Sequence, residues 1–348
     1  MLSTNNSGYH QAQAFDLIRL TFGIVYIFGF FANTFIFYIL VTYSSFQAIP
    51  YKLIRITVIS DILSSFAVVF GNINTSAEKS VESGTALCRA VMFMIFLSNG
   101  VSMFNLSYIA IDRYFSIVKP FHRYYRLHRK RIFYFASITI WIVVASYTAI
   151  MYPHLRVSHQ DTTLCDFPTI SQNWDNAMML FVFITMQYLI PCTIIILAYT
   201  KIIKHQRNHI RPGISEDMQQ ADGTRRKKFV RMLVSITLCY ILCTLPFFAT
   251  VLGMAITRKS VIEIRNQSMT KFLLLYISMF LSIGIVVVNP VIYVYFDINI
   301  RHKSLAILHK IKNRLTIHGL SNSKNSNNKT SSIILVATTN ITETNLEC

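Results

Sequence analysis

Three observations predict an all-α membrane protein: a bundle of seven transmembrane helices with an amphipathic eighth helix after it. Hydrophobic residues make up 53% of the 348-residue chain and charged residues only 14%, where an ordinary soluble domain carries about a quarter charged residues. The mean hydropathy is +0.44. Apolar runs recur seven times along the chain, each close to or above the roughly 20 residues that a helix needs to cross hydrocarbon. The runs are long and unbroken, whereas barrel strands would alternate over about ten residues, so the spans are helices.

Residues 1–16 are polar and are assigned to an extracellular N-terminus. They hold no apolar h-region, so no cleavable signal peptide is expected, and the first helix, at about 17–43, serves as the insertion signal. The next helices fall at about 51–73, 85–117, 131–152, 176–203, 225–256 and 270–296, completing a bundle over 17–296. Beyond it, 297–313 interleaves Ile300, Ala306, Ile307, Leu308 and Ile311 with Arg301, His302, Lys303, His309 and Lys310, the pattern of a helix 8 lying on the membrane surface. No cysteine follows until Cys348, so no palmitoyl anchor is expected directly after helix 8. Residues 314–348, rich in Ser, Thr and Asn from Ser321, read as a disordered cytoplasmic tail with hydroxyls open to kinases.

Orientation follows from the basic residues. Of 33 Lys and Arg, only Arg19, Lys79, Arg89, Arg156, Arg258, Lys259, Arg265 and Lys271 fall on one side of the spans. The others crowd around Lys52 and Arg55, between Arg113 and Arg131, between Lys201 and Arg231, and from Arg301 onward. The positive-inside rule then puts the N-terminus outside and the C-terminus in the cytoplasm of a multi-pass plasma-membrane protein. The net charge of +18 therefore meets anionic lipid and cytoplasmic partners, not nucleic acid.

Of six cysteines, Cys192, Cys239 and Cys243 lie within spans and Cys348 is terminal, which leaves Cys88 and Cys165 in outer, oxidising surroundings. A disulfide there would tie the top of helix 3 to the second outer loop, 153–175; the other reading is two separate loop thiols. Asn5, Asn74 and Asn266 begin Asn-x-Ser/Thr sequons on the outer side and are candidate glycosylation sites. Asn105, Asn328 and Asn340 match the same pattern in the membrane or cytoplasm.

One set of residues falls in order along the spans: Asn33 in helix 1, Asp61 in helix 2, Cys88 and Asp112-Arg113-Tyr114 in helix 3, and Trp141 in helix 4. Pro191 in helix 5, Cys243-Thr244-Leu245-Pro246 in helix 6 and Asn289-Pro290-Val291-Ile292-Tyr293 in helix 7 complete it. Over roughly 15–312 the chain resembles a rhodopsin-like (class A) G-protein-coupled receptor, of the peptide-receptor type. The resemblance implies a cell-surface receptor that activates heterotrimeric G proteins by outward movement of helix 6, with arrestin and receptor kinases as further partners. It implies coupling and switch roles for Asp112, Arg113, Tyr114, Pro120, Phe121, Tyr199, Tyr240, Pro246, Asn289, Pro290 and Tyr293.

Asp61 is a carboxylate at mid-helix, which costs about 2.5 to 3.5 kcal/mol on insertion scales unless it is compensated. The resemblance implies a sodium-linked polar network of Asp61, Ser102, Asn289 and Asn33, with Tyr293 nearby, its sodium being the one allosteric ion of a chain otherwise without cofactors. The other reading is a protonated Asp61 bonded to Asn33 or Asn289. Ile285 and Val286 stand where relatives often have polar groups.

Pro191, Pro246 and Pro290 each remove a backbone donor and kink their helices. Membrane helices tolerate such kinks as packing; the resemblance makes them hinges. Thr244 stands where many relatives carry tryptophan, which shifts the packing change onto Tyr240, Phe247 and Phe248. Relatives hold the arginine, here Arg113, by its neighbouring aspartate and by an acid on helix 6. Here helix 6 begins Arg225-Arg226-Lys227-Lys228, so that inter-helix bridge cannot form and basal signalling is expected. Phe121 is an apolar knob for a G-protein groove, and the basic run His122 to Arg131 also suits lipid headgroups.

Ile95 stands where amine receptors carry an aspartate, which argues against an amine, and helix 7 has no lysine near Ile283 to form a retinal Schiff base. The ligand cavity implied by the resemblance is lined by Met92, Ile95, Phe96, Asn99, Phe183, Gln187, Phe247, Phe248, Val251 and Met279. Around its rim, Arg156, Asp161, Asp166, Asp175, Arg258, Lys259, Glu263, Arg265 and Lys271 mix both signs. That suits a peptide, with a lipid or other non-amine small molecule as the alternative. A transporter would show matching broken helices in two halves. An enzyme of the membrane would need a nucleophile or metal set within spans, and none of the ten His lies in one.

Overall fold

A computed structural model describes residues 3–74, 80–157, 162, 164–168, 170, 174–208 and 216–313, with 3–16, 206–208 and 216–230 described by their backbone alone. Lys79, Asp161, the side chains of Asn5 and of Arg225 to Lys228, and the 314–348 tail lie outside the described residues. Two units divide the chain, Met1–Asp297 and Ile298–Cys348.

Among the described residues, seven helical spans are long and apolar enough to cross a membrane. The first four are α1 (Ser3–Thr42), α2 (Ile49–Asn74), α3 (Val81–Ile117) and α4 (Arg123–Met151). The fifth is made of α5 (Trp174–Ile184), a π-helical turn (Thr185–Leu189) and α6 (Ile190–Asn208). The last two are α7 (Glu216–Thr257) and α9 (Met269–Phe296), with the short α8 (Val261–Gln267) between them. In the second unit the described residues form one helix, α10, over 298–313. Leu305, Leu308 and Ile311 remain exposed along it.

Several helices overrun the bounds expected from hydropathy. α1 begins at Ser3, inside the polar segment ahead of the expected first span, α4 begins at Arg123 and not at 131, and α7 begins at Glu216 and not at 225. Hydropathy marks the hydrocarbon-crossing part alone, and Arg, Lys, Gln and Leu carry a helix on past it. Local caps set two of the true starts: Ser80 Oγ accepts from Ser83 N at 3.3 Å before α3, and His122 Nδ1 accepts from Tyr125 N at 3.3 Å before α4. Helix 8 begins at 298, because Asp297 is extended (φ −93°, ψ 109°) and caps α9.

The third span is the axis of the bundle, packing on α2, α4, α6 and the outer hairpin. α1 packs on α2 and α9, and α7 packs on α9 and α5. Gly100 permits the closest of these approaches: a Cβ there would fall 2.8 Å from Gln187 Oε1, and nearer still to Tyr147 and Val144. The Tyr147 hydroxyl donates to Gln187 Oε1 and Gln187 Nε2 donates to Phe96 O at 3.0 Å, so three spans meet at that glycine. At the π-helical turn, Pro191 has no N–H and its ring crowds the carbonyl four residues back, so the helix widens just before it.

Between the fourth and fifth spans, β1 (Arg156–Val157) and β2 (Cys165–Asp166) pair antiparallel, with Val157 opposite Cys165. Cys88 and Cys165 form a disulfide with Cα atoms 5.5 Å apart. It fixes this hairpin to the top of α3.

Candidate functional site

Three polar stations lie along the bundle, and α3 contributes to two of them directly. At the C-terminal end of α3, its last turns present Asp112, whose side chain is wholly buried. Arg113 Nη2 reaches Asp112 Oδ2 at 2.9 Å. Arg129 of α4 donates to both oxygens, Nε to Oδ1 at 2.9 Å and Nη2 to Oδ2 at 2.7 Å, and the Tyr125 hydroxyl donates to Oδ1 at 2.6 Å. One carboxylate therefore serves two guanidiniums and a phenol. A forked bond to a carboxylate is among the stronger charge-assisted contacts, so Asp112 is held more by α4 than by its own neighbour.

The expected Asp112–Arg113 pair is present; Arg129 and Tyr125 were not foreseen. Their basic run reads as a lipid-facing patch in sequence, and only the helical start of α4 at Arg123 turns Arg129 inward. Phe115 stacks on Tyr125 at 4.6 Å and braces it. Tyr114 lies between Lys119 and Lys201, whose ammonium groups stand 6.0 and 5.7 Å from its ring centre. Phe121, after Pro120, is 89% exposed, while Tyr199 and Tyr293 are buried.

In the middle of the bundle Asp61 is buried on α2, and Asn289 Nδ2 donates to its Oδ2 at 2.8 Å. Ser102 is buried as well, and Asn289 Oδ1 is buried without a hydrogen-bond partner. Asn33 is placed differently from the expected network. Its amide donates to Gly29 O at 2.9 Å and Val286 O at 2.8 Å, tying α1 to α9. Asn105, which also matched a sequon, instead ties α3 to α2 through Leu53 O at 2.8 Å and Thr57 Oγ1 at 2.7 Å. Pro290 and Asn289 lie buried within α9, and Pro246 lies within α7.

Above these, Tyr240 of α7 donates its hydroxyl to Asn99 O at 2.8 Å and lies 3.2 Å from Asn99 Oδ1. Thr244 bonds back to Tyr240 O at 2.8 Å, so the place of the absent tryptophan is held by a short side chain satisfied within its own helix. Asn99, Tyr240, Thr244, Gln187 and Phe248 enclose a narrow crevice. A larger cavity of about 1140 Å³, counting the space at its mouth, adjoins it towards the β1–β2 hairpin. Each of the ten residues expected to line a ligand cavity lines one or both: Phe183 and Val251 the upper one, Asn99, Gln187 and Phe248 the lower, and Met92, Ile95, Phe96, Phe247 and Met279 both. Tyr276, Phe280, Leu164 and Phe167 also line the upper cavity and were missed, because the loop and the turn of helix 7 that bring them in carry no sequence motif.

The outer rim is tied together by Asp166, which is 1% exposed. Its Oδ1 accepts from Phe167 N and Val261 N, both at 2.7 Å, and its Oδ2 from Ile262 N at 3.2 Å. The second outer loop thus caps α8, which Ser260 and Glu263 also close with a reciprocal capping box. Arg258 adopts φ 51° at the end of α7 and lies 4.7 Å over the Trp174 ring. Asn74 ends α2 and Asn266 is exposed on α8.

Residues 32–293 match the family model of the 7 transmembrane receptor (rhodopsin family). The chain belongs to that family. This receptor is 26% identical over 251 residues to somatostatin receptor type 2 of Mus musculus, which is 71% of its own length and 66% of the relative's. To galanin receptor type 2 of Rattus norvegicus it is 29% identical over 174 residues, 49% of this chain and 44% of the relative. To G-protein coupled receptor 65 of Homo sapiens it is 26% identical over 174 residues, 48% of each chain. The receptor thus spans just under two thirds of the first of these relatives and under half of the other two.

Proposed function

We propose that this receptor sits in the plasma membrane with its N-terminus outside, binds an extracellular peptide in the outer cavity, and activates a heterotrimeric G protein through outward movement of the inner end of α7. What carries the reading is one arrangement: a cavity open to the outer side and the Asp112–Arg113 cluster at the inner end lie on one helix, α3. The family match supports a receptor, and the names of the somatostatin and galanin receptors among its relatives support a peptide. The concentration of Lys and Arg on one side supports the orientation.

Arrestin and receptor kinases acting on the 314–348 tail, and anionic lipid at the basic inner loops, belong to the same reading. So does sodium, for which the buried Asp61, Ser102 and the unpartnered Asn289 Oδ1 are suitable oxygen donors. Replacing external sodium by a large organic cation should then raise agonist affinity in the wild type and leave Asp61→Asn unchanged; equal effects on both would remove sodium from the site.

The deciding experiment is a peptide library screened for calcium release through a promiscuous G protein. A hit should activate the wild type and fail on Arg113→Ala expressed at equal surface density. Activation by lipids or small molecules with no peptide hit would favour the second reading, for which the absence of charged side chains among the described residues lining both cavities speaks.

A further inference from the structure

We infer that the group a ligand inserts into the outer cavity is uncharged and apolar, and that the ligand's charges stay at the rim. This rests on the cavity being the ligand site. Its walls include Ile95, Phe96, Phe183, Phe247, Met254 and Met279, and among the described residues no Asp, Glu, Lys, Arg or His lines either cavity.

The polar groups of the floor are already engaged with one another. Tyr240 bonds Asn99, and Gln187 accepts from Tyr147 and donates to Phe96 O. Higher up, Thr250 donates to Phe247 O at 2.7 Å and lies 3.2 Å from Ser278 Oγ. A charged group entering here would lose its hydration without gaining a counter-charge, which costs far more than an apolar group gains from water-free walls.

Several of the described charged residues near the mouth are committed to the protein as well. Asp166 is filled by three backbone N–H groups. Arg89 donates to Leu155 O at 2.9 Å and Pro153 O at 3.2 Å, Arg258 stacks on Trp174, and Lys259 donates to Gln267 Oε1 at 2.9 Å. Glu263 accepts from Ser260 N at 2.8 Å. Arg156, Asp175 and Lys271 are exposed. They are the groups placed to meet the charges of a ligand whose apolar end is inside.

The test needs no known ligand. Met279→Cys and Met254→Cys receptors in nanodiscs are exposed to methanethiosulfonate reagents of similar size, one neutral and aromatic, one cationic and one anionic. Labelling is read by intact mass, the unsubstituted receptor's labelling is subtracted, and a Lys271→Cys variant at the rim calibrates the reagents. Relative to the rim, the neutral reagent should label the cavity cysteines about tenfold or more faster than either charged one. Adding Ile95→Asp to Met279→Cys should then speed the cationic reagent alone, which separates cavity chemistry from partition through lipid. Charged reagents as fast as the neutral one at both cavity cysteines, or no cationic gain from Ile95→Asp, would overturn the inference. Because labelling is read without signalling, the inference survives if no peptide ligand exists, and it fails independently of the receptor assay. Activation by an acyl lipid but by no peptide with an apolar end would keep the inference and discard the peptide.

Discussion

Asp112 shows how much one carboxylate can organise. Its two oxygens are divided among Arg113, Arg129 and Tyr125, so every bond given to α4 weakens the hold on Arg113. Arg129→Ala should return Asp112 to Arg113 and lower ligand-independent G-protein signalling, whereas Asp112→Asn should release both arginines and raise it. Basal nucleotide exchange at matched surface expression distinguishes the two signs. Tyr240 offers the second residue-scale test. Tyr240→Phe removes one buried hydrogen bond to Asn99, worth about 1 kcal/mol, and should shift the resting equilibrium towards activity about fivefold. A basal output equal to wild type would show that this bond does not restrain α7. The sequence made Asp112, Arg113 and Asp61 legible because ionisable groups abutting hydrocarbon stand out. It hid Arg129 and Tyr125, since a run with Arg123, Arg126, Arg129, Lys130 and Arg131 does not say which residue turns inward until the helix phase is known.

At the scale of elements, the seven spans were legible from length and hydropathy alone, because the bilayer leaves the backbone few alternatives. Their ends were not, since caps and polar extensions carry no hydropathy signal. α8 and the outer hairpin escaped for a related reason, since each depends on contacts with a distant segment, and the π-helical turn escaped because Pro191 marks a break in the helix without saying that the turn before it widens. α8 illustrates this best, as its first N–H groups are met by Asp166 some 95 residues away. Asp166→Ala should therefore accelerate amide hydrogen exchange over 260–268, by roughly 5- to 30-fold for a loss of about 1–2 kcal/mol, while leaving α9 protected below its first turn. Exchange unchanged at 260–268 would mean that the capping box alone holds the helix. Gly100→Ala tests the crossing of three spans. The added methyl has no room beside Gln187, Tyr147 and Val144, and overpacking of this kind costs about 1–3 kcal/mol. A lowered Tm of the purified protein is the expected result.

For the whole molecule, the three stations along the bundle define what must move together. The floor of the outer cavity holds α7 through Tyr240, the mid-membrane Asp61–Asn289 bond holds α9 to α2, and the inner cluster holds α3 to α4. The first of these bonds is made by α7 itself, so a ligand acting from the cavity meets that span directly. Spin labels at the inner ends of α3 and α7 should report a longer distance when an activating peptide is added, and Tyr240→Phe should populate that distance without it. A single unchanged distance under both conditions would contradict the outward swing.

The Asp112 cluster has one more consequence, at the connection between α3 and α4. Val118 N bonds Tyr114 O at 2.8 Å and His122 N bonds Lys119 O at 3.1 Å, while Arg129 and Tyr125 clamp the far side of the turn to α3. Phe121 is thus an exposed ring on a connection ordered before anything arrives. A partner that seats this ring has little chain entropy to remove. Its association should be fast and only weakly dependent on loop rearrangement, and cutting the clamp with Tyr125→Phe and Arg129→Ala should slow arrival more than it hastens departure.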